Sequence, residues 1–352
     1  MTCLKLRAGD WVEVRSKEEI LATLDKKGHL EGLPFMPEMF QHCGKRLQVY
    51  KRAHKSCDTV NGCAGLRLAN VVHLEGIRCD GGVHGGCQAE CLVFWKEAWL
   101  KEPGDQSAAS VGKGTPGCSE QDVQNAVVTD ETRASADPTY VCQATRLPDA
   151  ATPLPWWDLR QYLEDFTSGN ITLGRLFSGF VYSTYYNLSQ AGIGVGPAMR
   201  WFYDKFQTLR GGVPFPRRSG QIPLGQPTPG CNLNLQPGEL VRVKSYQEIL
   251  ATLNTDNKNR GLYFDAEAVP YCGGTYRVRQ RLNKIVDEKT GKLVTFKNDS
   301  IVLEGVFCQA RYSDCRMFCP RAILSYWREI WLERVKEPSE SPVGATPPQR
   351  SQ

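Results

Sequence analysis

One phrase occurs twice in this chain. SKEEILATLDKKG begins at Ser16 and SYQEILATLNTDN begins at Ser245. Sliding the 352-residue sequence against itself by 229 positions makes ten of the seventeen residues from Gly9 to Asp25 identical to those from Gly238 to Asn254. The same offset pairs Gly32 with Gly261, Phe35 with Phe264, Glu38 with Glu267 and Cys43-Gly44 with Cys272-Gly273. It also lays HLEGIRC on VLEGVFC, which pairs Cys79 with Cys308. A one-residue gap then brings Cys87 and Cys91 onto Cys315 and Cys319, and four further residues bring WKEAWL onto WREIWL. A duplicated segment of about 100 residues must fold the same way twice, and no other feature narrows the architecture as far.

Each copy opens with a turn glycine and a period-two run, GDWVEVRS or GELVRVKS, the pattern of a strand. Ser16 with Glu19, and Ser245 with Glu248, have capping-box spacing and predict a short helix. Its buried face is Ile20, Leu21 and Leu24 in one copy, and Ile249, Leu250 and Leu253 in the other. Further strands are expected over 46–52, 71–77 and 94–100, with counterparts over 276–281, 301–307 and 326–332. Trp95 and Trp99, like Trp327 and Trp331, are expected to close the core from one strand face. The reading is an α+β chain, mainly β with a helical insert. It has two small β-barrel or roll modules, over 1–103 and 232–338. GDWVEV resembles the first strand of SH3-like barrels such as KOW and Tudor modules.

Between the copies, residues 104–137 carry two basic and six acidic residues and almost no aromatics, the composition of a flexible acidic linker. Residues 138–231 read as an aromatic-rich helical insert ending in a Pro/Gly connector. Helices are expected from PWWDLRQYLEDF, over 173–190, and over GPAMRWFYDKFQTLR with Pro197 in its first turn. Residues 339–352 read as a disordered tail. The phrases LPFMPEMFQHCGKR, KRAHKSCDTV, CQAECLVFWKEAWL and YSDCRMFCPRAILSYWREIWL resemble a bacterial family of tandem cysteine-containing repeats. That resemblance implies a duplicated cysteine module and carries no catalytic residue with it.

MTCLKLRAGDWVEV lacks the charged-then-apolar pattern of an export signal, and no run of eighteen apolar residues predicts a membrane span. A reducing, cytoplasmic compartment is therefore expected for the fourteen cysteines. Cys43, Cys79, Cys87 and Cys91 in the first copy, and Cys272, Cys308, Cys315 and Cys319 in the second, suit two tetrahedral zinc sites. The glycine after Cys43 or Cys272 could turn a backbone N–H toward the thiolate. Two disulfides per copy, buried free thiols and an iron–sulfur cluster are the alternatives. The histidines of the first copy have no counterpart in the second, so a shared site would be all-cysteine.

The first copy also carries His54, Cys57, Cys63, His73 and His84, which together could form a third site. His54 and Cys57 are the candidates for a thiol- or metal-dependent catalytic centre. Gly-x-Ser-x-Gly, His-Glu-x-x-His and phosphate-loop signatures are absent, and GIGVGPAM reads as a hinge. A non-enzymatic zinc-stabilised scaffold that binds a protein partner, with Trp156-Trp157 as an exposed contact, is the leading reading. A net charge of +5 spread thinly along the chain does not indicate a nucleic-acid groove. The alternative surface would be Arg277, Arg279, Arg281 and Lys284 of the second copy.

Overall fold

The computed structural model describes residues 4–62, 65–105, 117–192, 194–313 and 316–335. Cys63, Cys315 and the expected tail lie outside the described residues.

Each copy builds a five-stranded antiparallel sheet with the same strand order. In the first it runs Leu92–Lys96, Val71–Arg78, Arg46–Arg52, Trp11–Val14 and Leu100–Lys101. In the second it runs Leu324–Trp327, Leu293–Phe307, Thr275–Val286, Leu240–Val243 and Leu332–Arg334. In both, a three-residue 3₁₀ turn (Glu97–Trp99 or Glu329–Trp331) carries the chain from one sheet edge to the other. The curl this demands gives a half-barrel with a single apolar interior.

The repeated phrase has a physical reason at nearly every position. Both capping boxes form, Ser16 with Glu19 and Ser245 with Glu248. Ile20 and Leu24, and their counterparts Ile249 and Leu253, are buried in the two cores, while Leu21 is only half-buried. Thr23 and Thr252 accept the indole N–H of Trp99 and Trp331 at 3.1 and 2.9 Å. All four tryptophans of the repeated pairs are fully buried. They do not share a strand as expected: Trp99 and Trp331 sit on the 3₁₀ turns, which redirect the chain after four or five strand residues. The turn glutamates also match. Glu97 accepts the backbone N–H groups of Lys5 and Leu6 and pairs with Arg52 at 2.6 Å. Glu329 does the same with Leu233, Leu235 and Arg281, at 2.7 Å from the arginine.

The acidic stretch expected to be a free linker is partly built into the fold. Ser119 and Asp122 cap a helix over Glu120–Asn125, and Val123 is buried in the first core against Gly28. A small amphipathic helix thus finds an apolar seat that its composition hides. The helical insert forms as expected, with helices Arg160–Thr167, Leu173–Ser189 and Gly196–Arg210. Of the phrase GIGVGPAM, Gly196–Met199 form the first turn of the last helix. The first two helices pack on the second module through Tyr162, Ile171, Met317 and Phe318. Gly179 permits the approach, since a Cβ there would stand 2.4 Å from the Phe318 ring.

The two modules are in direct contact. The glycine-rich loop over 81–91 of the first lies along the Thr275–Val286 strand of the second. Gln88 exchanges backbone and side-chain hydrogen bonds with Arg281, Asn283 and Lys284. Gln280 and Arg279 both reach Glu90. Arg279, Arg281 and Lys284 are therefore engaged in packing and ion pairs, and Arg277 donates to the Gly238 carbonyl. Among the described residues, no helix is long and apolar enough to cross a membrane.

Candidate metal centre

The loop that joins the modules also gathers metal-ligating groups. Cys79 follows the Val71–Arg78 strand, and its N–H donates to the Cys91 carbonyl at 2.9 Å. Gly81 then reverses the chain at φ +69°, where a Cβ would collide with the Cys87 carbonyl at 1.8 Å. The reversal sends His84 back toward Cys79. From the other side, the 3₁₀ helix Pro37–His42 presents Glu38. The ligand atoms of Glu38, Cys79 and His84 lie within 4.8 Å of one another, and among the described residues no other group of three does so.

The hydrogen bonding of this triad suits a cation. His84 is buried, and its Nε2 lies 3.2 Å from the Val141 carbonyl, which can only accept. The proton is thereby held on Nε2, and the Nδ1 lone pair, which has no hydrogen-bond partner, is free to ligate. Burial pushes the imidazole pKa down, keeping the ring neutral as a metal ligand must be. Both carboxylate oxygens of Glu38 are buried without an N–H or O–H donor. Burial raises its pKa, with the Cys79 thiol as its polar neighbour. Burial, and then the Glu38 carboxylate, push the Cys79 thiol up. Orphaned acceptors of this kind are costly in a protein interior unless something positive satisfies them.

Cys87, Cys91 and Cys142 line the same cavity of about 40 Å³, room for one metal ion and little else. Val286 of the second module donates its N–H to Cys87 Sγ at 3.3 Å, an orienting bond of the kind that steadies a ligating thiolate. Burial raises Cys91 to about 12 and also raises Cys142. All eleven described cysteines are free thiols.

The eight cysteines expected as ligands are thus divided. Cys79, Cys87 and Cys91 share the first cavity, and Cys308 and Cys319 share a buried cluster in the second module. Cys43 and Cys272 cap the 3₁₀ helices and pack on the two cores, beside Lys17 in one case and Tyr246 and Tyr276 in the other. The glycine N–H after each does not face sulfur. Gly44 and Gly273 donate to the Val14 and Val243 carbonyls at 2.9 Å, extending the sheet. Strand register further equates Cys91 with Ile323, because Cys308 N–H donates to Ile323 O as Cys79 N–H does to Cys91 O. Between these bonded positions the second copy is longer by three residues, fifteen against twelve.

His54 and Cys57 do not face each other. His54 Nε2 lies 3.2 Å from the Gln161 carbonyl and 3.3 Å from Asp165, whereas Cys57 meets Arg321 and Cys319. His73 is a core residue, bonded through Nδ1 to the Val93 carbonyl at 2.9 Å and packed on Phe94. Of the residues now at the site, Glu38 carried a signal in the sequence, as the partner of Glu267 in the repeat. Cys142 carried none, because it arrives from the insert. The chain matches no protein-family model and no curated protein sequence.

Proposed function

We propose that the chain is a non-enzymatic zinc-binding scaffold: two SH3-like modules held by metal, with the helical insert offered to a protein partner. The observation that carries it is the Glu38–Cys79–His84 triad, whose buried acceptor atoms otherwise lack donors. Carboxylate, thiolate and imidazole are all zinc ligands, and a thiolate from the same cavity would complete a tetrahedron. The SH3-like reading is supported by the strand order and by the 3₁₀ turn before the last strand. The insert leaves Trp157, in the turn before its first helix, and Phe177, Trp201, Phe202 and Leu209 on its helices largely exposed, more apolar surface than a solitary unit carries. Arg200, Lys205 and Arg210 flank that face, and Asp204 is taken up by Arg218. A partner with an apolar surface and an acidic rim fits it.

Protein purified under reducing conditions without chelator is expected to contain zinc by elemental analysis. His84→Ala and Cys79→Ser are each expected to lower the content by one ion per chain. Unchanged content in both variants would remove this site. The thiol-enzyme reading has less support, because Cys57 is 6% exposed and the His54 Nε2 is bonded to the Gln161 carbonyl. The nucleic-acid reading would need Arg279, which pairs with Glu90 of the first copy, and Arg281, which pairs with Glu329 inside the second.

A further inference from the structure

The two copies share a cation but not its counter-ion. In the first copy Lys96 ends the strand Leu92–Lys96 and is buried. Its ammonium pairs with Glu31 at 2.6 Å and donates to the Ala69 carbonyl at 3.2 Å. Glu31 sits in the two-residue turn between the strands His29–Leu30 and Leu33–Pro34, at φ +52°. The second copy keeps this geometry and reverses the charge. Arg328 takes the place of Lys96 and donates to the carbonyl of Asn298, the counterpart of Ala69, at 2.7 Å. Arg260 takes the place of Glu31 in the matching turn, at φ +47°. A second cation thus stands where the first copy holds a carboxylate. We propose that this face of the second module binds an acidic peptide segment of a partner protein, one of whose carboxylates supplies the counter-ion that Glu31 supplies in the first. The site is independent of the metal centre.

Three observations support it. First, the Arg328 guanidinium is spent on the Asn259, Arg260, Asn298 and Asp299 carbonyls and on the Ser300 hydroxyl, none of which cancels its charge. Burial and then Arg260 push its pKa down, against Asp299. Second, the cations collect along one open groove of about 920 Å³ and a smaller hollow of about 260 Å³ beside it. Lys258, Arg260, Lys297 and Arg328 line these spaces and form no ion pair among the described residues, whereas the two acids there, Asp299 and Glu329, both pair with Arg281. Cations spread along a groove suit an extended chain with several carboxylates better than a single small anion. Third, Arg260 is held in position. Its N–H donates to Thr228 Oγ1 at 2.8 Å, and its guanidinium lies over Gly230, where a Cβ would stand 2.5 Å away.

The full-length protein is expected to bind a fluorescent oligoglutamate peptide, with an affinity that falls as salt rises. Arg260→Glu is expected to weaken that binding by about tenfold or more. It is also expected to raise the urea midpoint, because the new carboxylate can pair with Arg328 as Glu31 pairs with Lys96. Lys26→Glu makes the same charge change on the exposed surface of the first copy and should leave binding nearly unchanged. An Arg260→Glu protein that binds like the wild type, or that unfolds at a lower midpoint, overturns the proposal. Equal losses in the two variants would reduce the binding to diffuse attraction and remove the site. Tighter binding of an oligothymidylate or of inorganic phosphate than of the peptide would give the groove to a different anion and also overturn it. A second measurement needs no variant. Cys231 is exposed in the same groove, so saturating peptide should slow its alkylation by iodoacetamide in the wild-type chain, and an unchanged rate contradicts the site.

Discussion

Asp165→Ala is expected to destabilise the chain by about 3–5 kcal/mol, read as a lower denaturant midpoint. Asp165 is fully buried on the first insert helix and pairs with Lys55, itself 3% exposed. The Lys55 ammonium lies over the rings of Tyr162 and Phe318, at 5.0 and 5.6 Å. First module, insert and second module therefore meet around one buried charge pair. Burial lowers the Lys55 pKa, and Asp165 opposes that shift. Without the carboxylate, an ammonium is left in an apolar junction with only ring faces and the Gln161 side chain to receive it. The paired replacement Lys55→Met with Asp165→Leu is expected to recover most of the loss, because two well-packed apolar groups leave no uncompensated charge. A single variant that unfolds at the wild-type midpoint would refute the junction.

Acid is expected to weaken the fold through His73 by about 3 kcal/mol between pH 6.5 and pH 4. The imidazole is fully buried, which pushes its pKa down to about 4 against the bond to Val93, and Arg321, Arg78 and Lys51 push the same way. Its folded pKa lies below the unfolded one, so within that window the unfolded chain binds the extra proton. Stability is complete above pH 6.5, falls as the pH drops toward 4, and loses no more from this group below that. His73→Asn, which keeps an N–H for the Val93 carbonyl, is expected to flatten this part of the profile. Urea midpoints measured across the window for both proteins decide it; parallel profiles would assign the acid sensitivity elsewhere.

Local structure was largely legible because it depends on spacing. The capping serines, the period-two strands and the buried Ile20 and Ile249 follow from residues a few positions apart. The duplication then doubled every such inference. What was not legible depends on contacts across long separations. The docking of Val123 on the first core, the Arg52–Glu97 and Arg281–Glu329 pairs and the seat of Gln88 on the Thr275–Val286 strand have no local pattern. The cysteines divide the same way. Matching positions in the repeat suggested two independent all-cysteine sites. In the folded chain Cys43 and Cys272 serve caps, His84 and Glu38 stand beside Cys79, and Cys142 and Cys57 arrive from elsewhere in the chain. A repeat alignment compares each copy with the other and is blind to what one copy contributes to its neighbour.

The most direct test is zinc X-ray absorption on the full-length protein. The Glu38–Cys79–His84 arrangement predicts a mixed first shell, with sulfur at about 2.3 Å and nitrogen or oxygen at about 2.0–2.1 Å. His84→Ala should remove the imidazole scattering. A shell of sulfur alone, unchanged in that variant, would contradict the mixed site and return the metal to cysteines only.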